Sequence, residues 1–224
     1  MDILVNETGN TAKCSVGILV MDNVQNLSSE DRLRVVRQEL EDTIRTKYAG
    51  VTRNELKSIH PMDTYVAYYK KFGYTYHVLL QLESVINGKS IPSGAPLVEA
   101  MFMAELKNMV LTAAHDLEKI DLPMSLRIST GEESFTTLSG RSVITVPDDM
   151  MIVDQKDVLS SILRGPDSRT AITAQTTGVV YTAYAPFGVE ESLVYEHLSD
   201  MEAYVRSTSK SPTTRLKQVF SPSD

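Results

Sequence analysis

Tryptophan is absent from the 224 residues, and cysteine occurs once, as Cys14. A single cysteine cannot form an intramolecular disulfide, which is typical of a reducing compartment. No run of 18 apolar residues occurs, so we expect no membrane-spanning helix. The opening MDILVNETGN lacks the basic and apolar regions of a signal peptide. We therefore expect a cytoplasmic protein, with Cys14 an unreactive thiol in a buried strand.

The sequence signatures of common enzymes are also missing. The motifs HExxH, paired CxxC, GxxxxGKS/T, GxGxxG and GxSxG do not occur, which argues against the usual zinc, nucleotide and α/β-hydrolase sites. The spacing of the four histidines, His60, His77, His115 and His197, provides no local metal pair. We expect neither a metal nor a cofactor.

Positive charge is in short supply, since the formal net charge is -7. Nucleic-acid binding needs clustered Lys and Arg, so we expect no DNA binding and weak or no binding to generic RNA. The arginines of segment 29–47 alternate with carboxylates, which predicts a self-paired, solvated helix face. The chain from Arg206 onward is basic and rich in Ser, Thr and Pro, and it predicts a poorly ordered tail from Thr208.

What is present divides the chain into a helical part and a strand part. Apolar residues at helical spacing, with a cap at Ser28 or Ser29, predict the first helix. The predicted helices are 29–47, 61–72, a short helix ending at Gly88, 96–112 and a closing helix after Gly188. Between Leu126 and Tyr184, short β-branched segments are separated by Gly, Pro and Asp, which predicts strands.

This order of elements predicts an α+β fold. We expect a single domain over residues 1–207, with a mixed sheet or open barrel packed with helices. Residues 208–224 are expected to form a flexible tail.

The loop LRGPDSRTAIT, Leu163–Thr173, carries more charged and hydroxyl side chains than a connection between strands requires. Arginine can form a forked pair with a carboxylate or phosphate, so Arg164, Asp167, Arg169 and Thr170 are candidate ligand-binding residues. The alternative is that Asp167 and Arg169 brace the loop internally, with Thr170 as a turn hydroxyl.

His115 stands where the helix 96–112 is expected to turn into the strand part, beside Asp116 and Glu118. A histidine near carboxylates is a candidate for proton transfer. The alternative is that His115 satisfies the carbonyl groups at the end of the helix. We interpret His197, on the closing helix, as a surface or boundary residue.

An aromatic cluster occupies the helix 61–72. Tyr65, Tyr68, Tyr69 and Phe72 share one face of that helix. Such a face is typical of core packing, and the alternative is a stacking surface for a base or an aromatic amino acid.

Three segments, in this order, carry a resemblance to a known family. They are DTYVAYYKKFGYTY (Asp63–Tyr76), NGKSIPSGAPLVEAMFMAELKNMVLTAAHDLEKI (Asn87–Ile120) and GPDSRTAITAQTTGVVYTAYAPFGV (Gly165–Val189). The chain resembles the tRNA-editing (B3/B4) domain of the phenylalanyl-tRNA synthetase beta subunit, in its form as a separate small protein. The third segment, with its Asp-Arg-Thr motif before a long strand, is the most specific. The resemblance covers about Leu56 to Tyr204.

The resemblance implies a B3/B4-like fold with a pocket between the helical and strand parts, where His115 matches the family's pocket-side histidine. In the family this domain hydrolyses tyrosine wrongly attached to the phenylalanine tRNA, and a Gly-Gly-Glu loop recognises the tyrosine hydroxyl. Here that place reads Arg164-Gly165-Pro166, which lacks the glutamate. The synthetase's aminoacylation core is not recognisable, so we do not expect the chain to charge tRNA by itself.

Two kinds of function follow as hypotheses. The first is an enzyme that hydrolyses mischarged aminoacyl-tRNA or a related aminoacyl ester in trans, with His115 as the catalytic residue. The second is a non-catalytic pocket that binds an amino acid, a nucleotide or an RNA end; a related fold with another metabolic ligand is also open. The hypotheses predict a small amino-acid-like ligand, with tRNA or aminoacyl-tRNA as a partner, and predict that His115 and Arg169 line one cleft.

Overall fold

The computed structural model describes residues 4–6, 14–26 and 30–221. The α-helices in this part of the chain are α1 (Glu30–Lys47), α2 (Arg53–Lys57), α3 (Met62–Lys71), α4 (His77–Ile86), α5 (Pro96–Asn108) and α6 (Glu191–Thr208). The strands are β1 (Leu4–Asn6), β2 (Ser15–Asp22), β3 (Thr112–Asp116), β4 (Met124–Ile128), β5 (Ser134–Thr136), β6 (Ser142–Ile144), β7 (Met150–Val153), β8 (Val158–Ser161), β9 (Gly165–Pro166), β10 (Gly178–Ala185) and β11 (Thr213–Phe220).

The first sheet has the strand order β11-β2-β10-β3, and all its neighbours are antiparallel. Its two inner strands are continuous apolar runs, the pattern of strands covered on both faces. Helix α6 packs directly on β2. A Cβ atom at Gly17 would lie 2.5 Å from Cγ1 of Val194, so only glycine permits this approach of helix and strand.

The second sheet has the order β1-β4-β7-β8-β9, in which β1 runs parallel to β4 and the other neighbours are antiparallel. A separate hairpin, β5–β6, is tied to the loop after β9 by a bridge between Thr137 and Asp167. Both large sheets are open at their edges. The predicted α+β single domain is confirmed. Of the two predicted forms, the mixed sheet is the one found, and the described strands do not close into a barrel.

All five predicted helices are confirmed, as α1, α3, α4, α5 and α6, and the predicted cap at Ser28 or Ser29 lies outside the described residues. Helix α5 ends four residues earlier than predicted. Met109 adopts a left-handed φ of 58° and its N–H caps the carbonyl of Glu105, so the chain leaves the helix there. Residues 112–116 then form β3, and the expectation of a helix end and turn near His115 was wrong.

The expected charge pairing on α1 is confirmed for the side chains that the structure describes. Arg45 lies 3.1 Å from both Glu41 and Asp42. Arg37 reaches beyond its own helix to Glu99 on α5. The ion pairs within α1 match its arginines with carboxylates, and the pair between Arg37 and Glu99 joins α1 to α5. Little unpaired positive charge is left among these side chains. No helix in the described part of the chain is long and apolar enough to cross a membrane.

The tail was predicted incorrectly. Residues 213–220 form β11, which pairs with β2 along its length, with a bulge between Thr214 and Leu216. Arg215 pairs with Asp22 at 2.7 Å and Lys217 pairs with Glu202 at 2.8 Å. The high Ser, Thr and Pro content was outweighed by pairing with β2 and by three apolar side chains, since Leu216, Val219 and Phe220 pack against the core.

We expect deletion of residues 210–224 to lower the free energy of unfolding by about 2–4 kcal/mol, because it removes three partly buried apolar side chains and a full ladder of backbone hydrogen bonds. It also exposes β2 as an edge strand, which favours aggregation. Urea unfolding measures the first effect, and deletion of 222–224 is the control. Equal stability of the two shortened chains would restore the interpretation as a flexible tail.

Candidate functional site

The structure brings four of the residues singled out in the sequence into one buried network. His115, the fourth of the five residues of β3, has no exposed surface. Its Nδ1 atom lies 2.8 Å from Oγ1 of Thr170, and its Nε2 atom lies 3.2 Å from Oγ of Ser160 on β8. The hydroxyl of Thr170 in turn donates to Asp167. Strand β3 and the loop after β9 therefore meet through side-chain hydrogen bonds.

The direction of these hydrogen bonds follows from Asp167, whose carboxylate can only accept. Because Thr170 donates to the Asp167 carboxylate, it accepts from Nδ1–H of His115. Nε2 of the same ring is then unprotonated and accepts from Ser160, which accepts from the Tyr184 hydroxyl at 2.6 Å. The chain of donors runs from Tyr184 on β10 to Asp167. It fixes the tautomer of His115 and the position of the Tyr184 ring.

Arg169 closes the network on its solvent side. Its Nη2 donates to Oδ2 of Asp154 at 2.9 Å, its Nη1 donates to the carbonyl of Lys119 at 2.8 Å, and its Nε lies 3.6 Å from Oδ2 of Asp167. Two buried carboxylates thus share one guanidinium. These are the contacts of the bracing alternative, in which the charged side chains hold the loop internally.

Burial lowers the pKa of His115 to about 3, and the charge of Arg169 acts in the same direction. The ring is therefore neutral near pH 7, with both nitrogens occupied by protein hydroxyls. The alternative in which it caps the end of the preceding helix was wrong, because its partners lie on β8 and in the loop. His115 and Arg169 meet through Asp167, and neither lines the apolar cavity described next. A catalytic role for His115 stays a prediction.

A cavity of about 520 Å³ lies between the helical part and the strand part of the molecule. Helices α3, α4 and α5 form one wall, and β3, β8 and the turn into β9 form the other. Its lining is mostly apolar, with Val98, Met101, Phe102, Leu111, Ala113, Ala114, Ile162, Leu163 and Ile172 among the residues. This size and character are usual for sites that take small molecules.

Glu105 is the exception in this apolar lining. It lies on α5 with 1% of its surface exposed, and it lines the cavity. Oε1 accepts the backbone N–H of Thr112 at 2.8 Å, whereas Oε2 has no hydrogen-bond partner among the described residues. Burial raises the pKa of Glu105 to about 8, opposed by the hydrogen bond from Thr112. An unpaired buried carboxyl group costs free energy that a ligand bearing a donor can recover.

Arg164 lies apart from the buried network, at the mouth of this cavity. Its Nε donates to the carbonyl of Ile144 at 3.0 Å and its Nη1 to the hydroxyl of Tyr74 at 3.3 Å. The side chain therefore spans the opening between the β5–β6 hairpin and the segment before α4. Of the four candidate ligand-binding residues, Arg164 is the one that lines the cavity.

Comparison with known proteins found similarity in shape to solved structures, and none in sequence. No family model and no curated protein matches the chain. Among solved structures, an N-terminal fragment of the phenylalanyl-tRNA synthetase beta-subunit from Pyrococcus horikoshii is similar, with a TM-score of 0.46 and 12% sequence identity over 92% of this chain. The similarity spans 48% of that fragment. The tRNA binding and editing implied by the sequence resemblance stay predictions.

Sequence reasoning missed Glu105 and misjudged His197. The signal for Glu105 was a carboxylate in PLVEAMFMAELKNMV, a segment that is apolar around the whole helix and so predicts burial on all sides. His197 is fully buried, not at the surface: its Nε2 lies 2.7 Å from Oγ1 of Thr112, and burial lowers its pKa to about 4. Both side chains pack around the start of β3.

The aromatic cluster mainly serves the core. Tyr65 and Tyr76 stack with ring centroids 4.8 Å apart, and both are buried. Tyr69 donates to the carbonyl of Ile162 at 2.8 Å, which leaves its ring on the cavity wall. Core packing is thus the main role of this face, and one of its rings also contacts the cavity.

The structure also locates the remaining chemistry-bearing side chains. Cys14 precedes β2 and is half-buried, and burial raises the pKa of its thiol. His60 is exposed and lies 2.6 Å from Glu190. Among the described residues, no group of His, Cys, Asp and Glu side chains has the arrangement of a metal site.

Proposed function

We propose that this protein binds a small ligand of amino-acid-like chemistry, with an apolar body and one polar end, in the cavity between its helical and strand parts. The observation that carries the proposal is the free Oε2 atom of Glu105. Buried polar atoms in folded proteins almost always have partners, so an exception on a side chain that lines a cavity indicates a group supplied from outside.

The surroundings of Glu105 support this proposal. The apolar lining matches the body of the ligand, and the Tyr184 ring is held by Ser160 and His115. A wall whose rotamers are fixed by buried hydrogen bonds binds with little loss of side-chain entropy. In this account His115 is a positioning residue that acts through Ser160 and Tyr184.

Binding is tested with a panel of small compounds, each with a phenyl or branched alkyl body and one polar group, by ligand-observed NMR and thermal shift. We expect at least one to bind the parent protein and to lose binding in Ala171→Leu, because Ala171 lines the cavity and leucine reduces its volume. Ala203→Leu, the same change on the exposed face of α6, is the control. Binding that survives Ala171→Leu unchanged, or no binding by any compound, overturns the proposal.

A second candidate function is hydrolysis of an aminoacyl ester in the same cavity. It is favoured by the pKa of Glu105 at about 8, because such a carboxyl group is partly ionised near neutral pH, and its ionised form can take a proton from water and return it to a leaving group. An aminoacyl-tRNA would present its ester at the cavity mouth, near Arg164. This reaction needs no cofactor and no nucleophilic side chain.

Deacylation of mischarged and correctly charged tRNA tests the second candidate. If Glu105 is the general base, Glu105→Gln is expected to lower the rate by about 10²–10⁴-fold while ligand binding persists. An unchanged rate in Glu105→Gln, or no deacylation by the parent protein, removes this candidate.

Generic RNA is expected to bind weakly, because the basic residues near the C-terminus, Arg206, Arg215 and Lys217, each pair with a carboxylate.

A further inference from the structure

The charge around Glu105 limits what can bind beside it. Burial and the N–H of Thr112 determine the pKa of Glu105, and no cationic side chain contributes to that balance. Three buried tyrosines interact electrostatically with Glu105, Tyr65 and Tyr69 on α3 and Tyr76 before α4, and burial raises the pKa of each far above neutrality. On α6, His197 lies 2.7 Å from Oγ1 of Thr112, and burial lowers its pKa to about 4, so it is neutral near pH 7. The titratable residues that line the cavity beside Glu105 are Tyr69, Tyr74, His77, Arg164 and Tyr184.

Arg164 is the permanent cation in this lining, and it is engaged at the mouth with Ile144 and Tyr74. Its guanidinium also stacks against the Tyr74 ring, 5.9 Å from the ring centroid. The interior of the cavity thus contains a carboxyl group without a counter-ion. A ligand that brings a positive charge supplies the partner that the protein lacks.

Aromatic rings provide the second feature of the interior. Tyr69, Phe102 and Tyr184 line the cavity, and both tyrosine hydroxyls already have protein partners, Ile162 and Ser160. Their ring faces are therefore the parts left for a ligand. A carboxyl group together with aromatic faces is complementary to an ammonium group, which gains from the ion pair and from cation–π contacts.

We propose that the cavity selects ligands that carry a protonated amine on an apolar or aromatic body, with Glu105 as the counter-ion. The inference rests on the proposed function and names the ligand class for that site. A neutral hydroxyl on the same body makes one hydrogen bond to Glu105 and no ion pair. A carboxylate on the same body meets a carboxyl group that cannot ionise beside it.

The ion pair has a measurable consequence for protons. At pH 7 the carboxyl group of the empty site is mostly protonated, since its pKa is about 8. When an ammonium group binds, the carboxyl ionises and one proton passes to solvent, while the amine keeps its own. Binding of a neutral alcohol releases none. Proton release therefore distinguishes ion pairing from simple burial of the apolar body.

The test uses three probes with the same phenyl body: 2-phenylethylamine, 2-phenylethanol and 3-phenylpropionate. Calorimetry at pH 7, in buffers of different ionisation enthalpy, measures affinity and protons released. We expect the amine to bind at least tenfold more tightly than the alcohol, the carboxylate to bind most weakly, and the amine alone to release close to one proton per site.

Two variants assign the effect to Glu105. Glu105→Gln keeps the acceptor for Thr112 and is expected to abolish both the amine preference and the proton release, with alcohol affinity within about threefold of the parent. Glu196→Gln removes one exposed carboxylate on α6 and is expected to change neither. Should Glu105→Gln fold poorly, the buffer dependence of the parent protein still decides the question.

The outcomes separate the two proposals. Alcohol binding that equals or exceeds amine binding, or amine binding without proton release, overturns the inference and leaves the cavity a ligand site. An amine preference that persists in Glu105→Gln also overturns it. Failure of all three probes, together with failure of the wider compound panel, overturns the proposed function itself.

Discussion

Glu105→Gln is expected to raise the free energy of unfolding by about 3–5 kcal/mol at pH 9 and to leave it nearly unchanged at pH 4.5. The side chain is buried, and its pKa rises from 4.5 in the unfolded chain to about 8 in the folded protein. Between these values the folded protein holds a proton that the unfolded chain has released. Stability therefore falls as pH rises through this window and levels off above pH 8. Glutamine does not ionise, so the Glu105→Gln variant does not lose this stability as pH rises.

Two buried histidines have the opposite effect at lower pH, where they make the free energy of unfolding increase as pH rises. The pKa values of His115 and His197 fall to about 3 and about 4, so below pH 6.5 the unfolded chain binds protons that the folded protein does not. Their contribution to stability is lost as pH falls below that point. Burial also lowers the pKa of His77, so the histidines together outweigh the single Glu105 at low pH, and we expect the parent protein to be most stable between about pH 6.5 and 7.

Urea unfolding across pH 4.5–9 measures both slopes, with Glu196→Gln as the control for a lost surface charge. The gain of Glu105→Gln over the parent should grow with pH up to about pH 8 and then stay constant. A constant difference at every pH would show that Glu105 is ionised in the folded protein throughout, and the account of an unpaired, neutral carboxyl group would then be wrong.

Arg169→Ala is expected to lower the free energy of unfolding by about 2–4 kcal/mol, because it leaves two buried carboxylates without their shared cation. Asp154 and Asp167 have side-chain exposures of 0% and 4%. Arg169→Lys should restore only part of the loss. An ammonium cannot donate to Asp154 and to the carbonyl of Lys119 with the geometry of a guanidinium.

Arg164→Ala is the matched control in the same loop. Its hydrogen bonds to Ile144 and Tyr74 are solvent-exposed, so we expect Arg164→Ala to change the free energy of unfolding by less than about 1 kcal/mol.

Ligand affinity of the folded Arg169→Ala protein should equal that of the parent, because Arg169 does not line the cavity. Unchanged stability with lost ligand binding would make Arg169 a binding residue, as the loop sequence first indicated.

The helices and the change to strands could be predicted because their signals are local. Leu33, Leu40 and Ile44 repeat at helical spacing, and all three are buried on one side of α1. The end of α5 could not be predicted in the same way. Nothing in LKNMVLT marks Met109 as left-handed; the chain turns there because β10 offers the next segment a place as β3.

The candidate site required tertiary information that the sequence does not contain. His115 and the Asp167–Thr170 corner are about fifty residues apart in sequence, and only the fold brings them into one hydrogen-bonded network. Their chemistry depends on what covers them, since full burial turns a candidate acid–base group into a neutral link between Ser160 and Thr170. Glu105 showed the reverse: an ordinary helical glutamate became distinctive only once its unpaired oxygen and the cavity were seen together.

The most direct test of the central claim is a methyl NMR titration, with 2-phenylethylamine and 2-phenylethanol added separately to protein labelled at Ala, Ile, Leu, Met and Val methyl groups. The account predicts shifts at Met101, Ile162 and Ile172, which surround the cavity, and none at Val194 and Leu198 of α6, which pack against Gly17 of β2. Shifts at none of the cavity methyl groups, or shifts that cluster elsewhere with either probe, would contradict the claim that this cavity is the binding site.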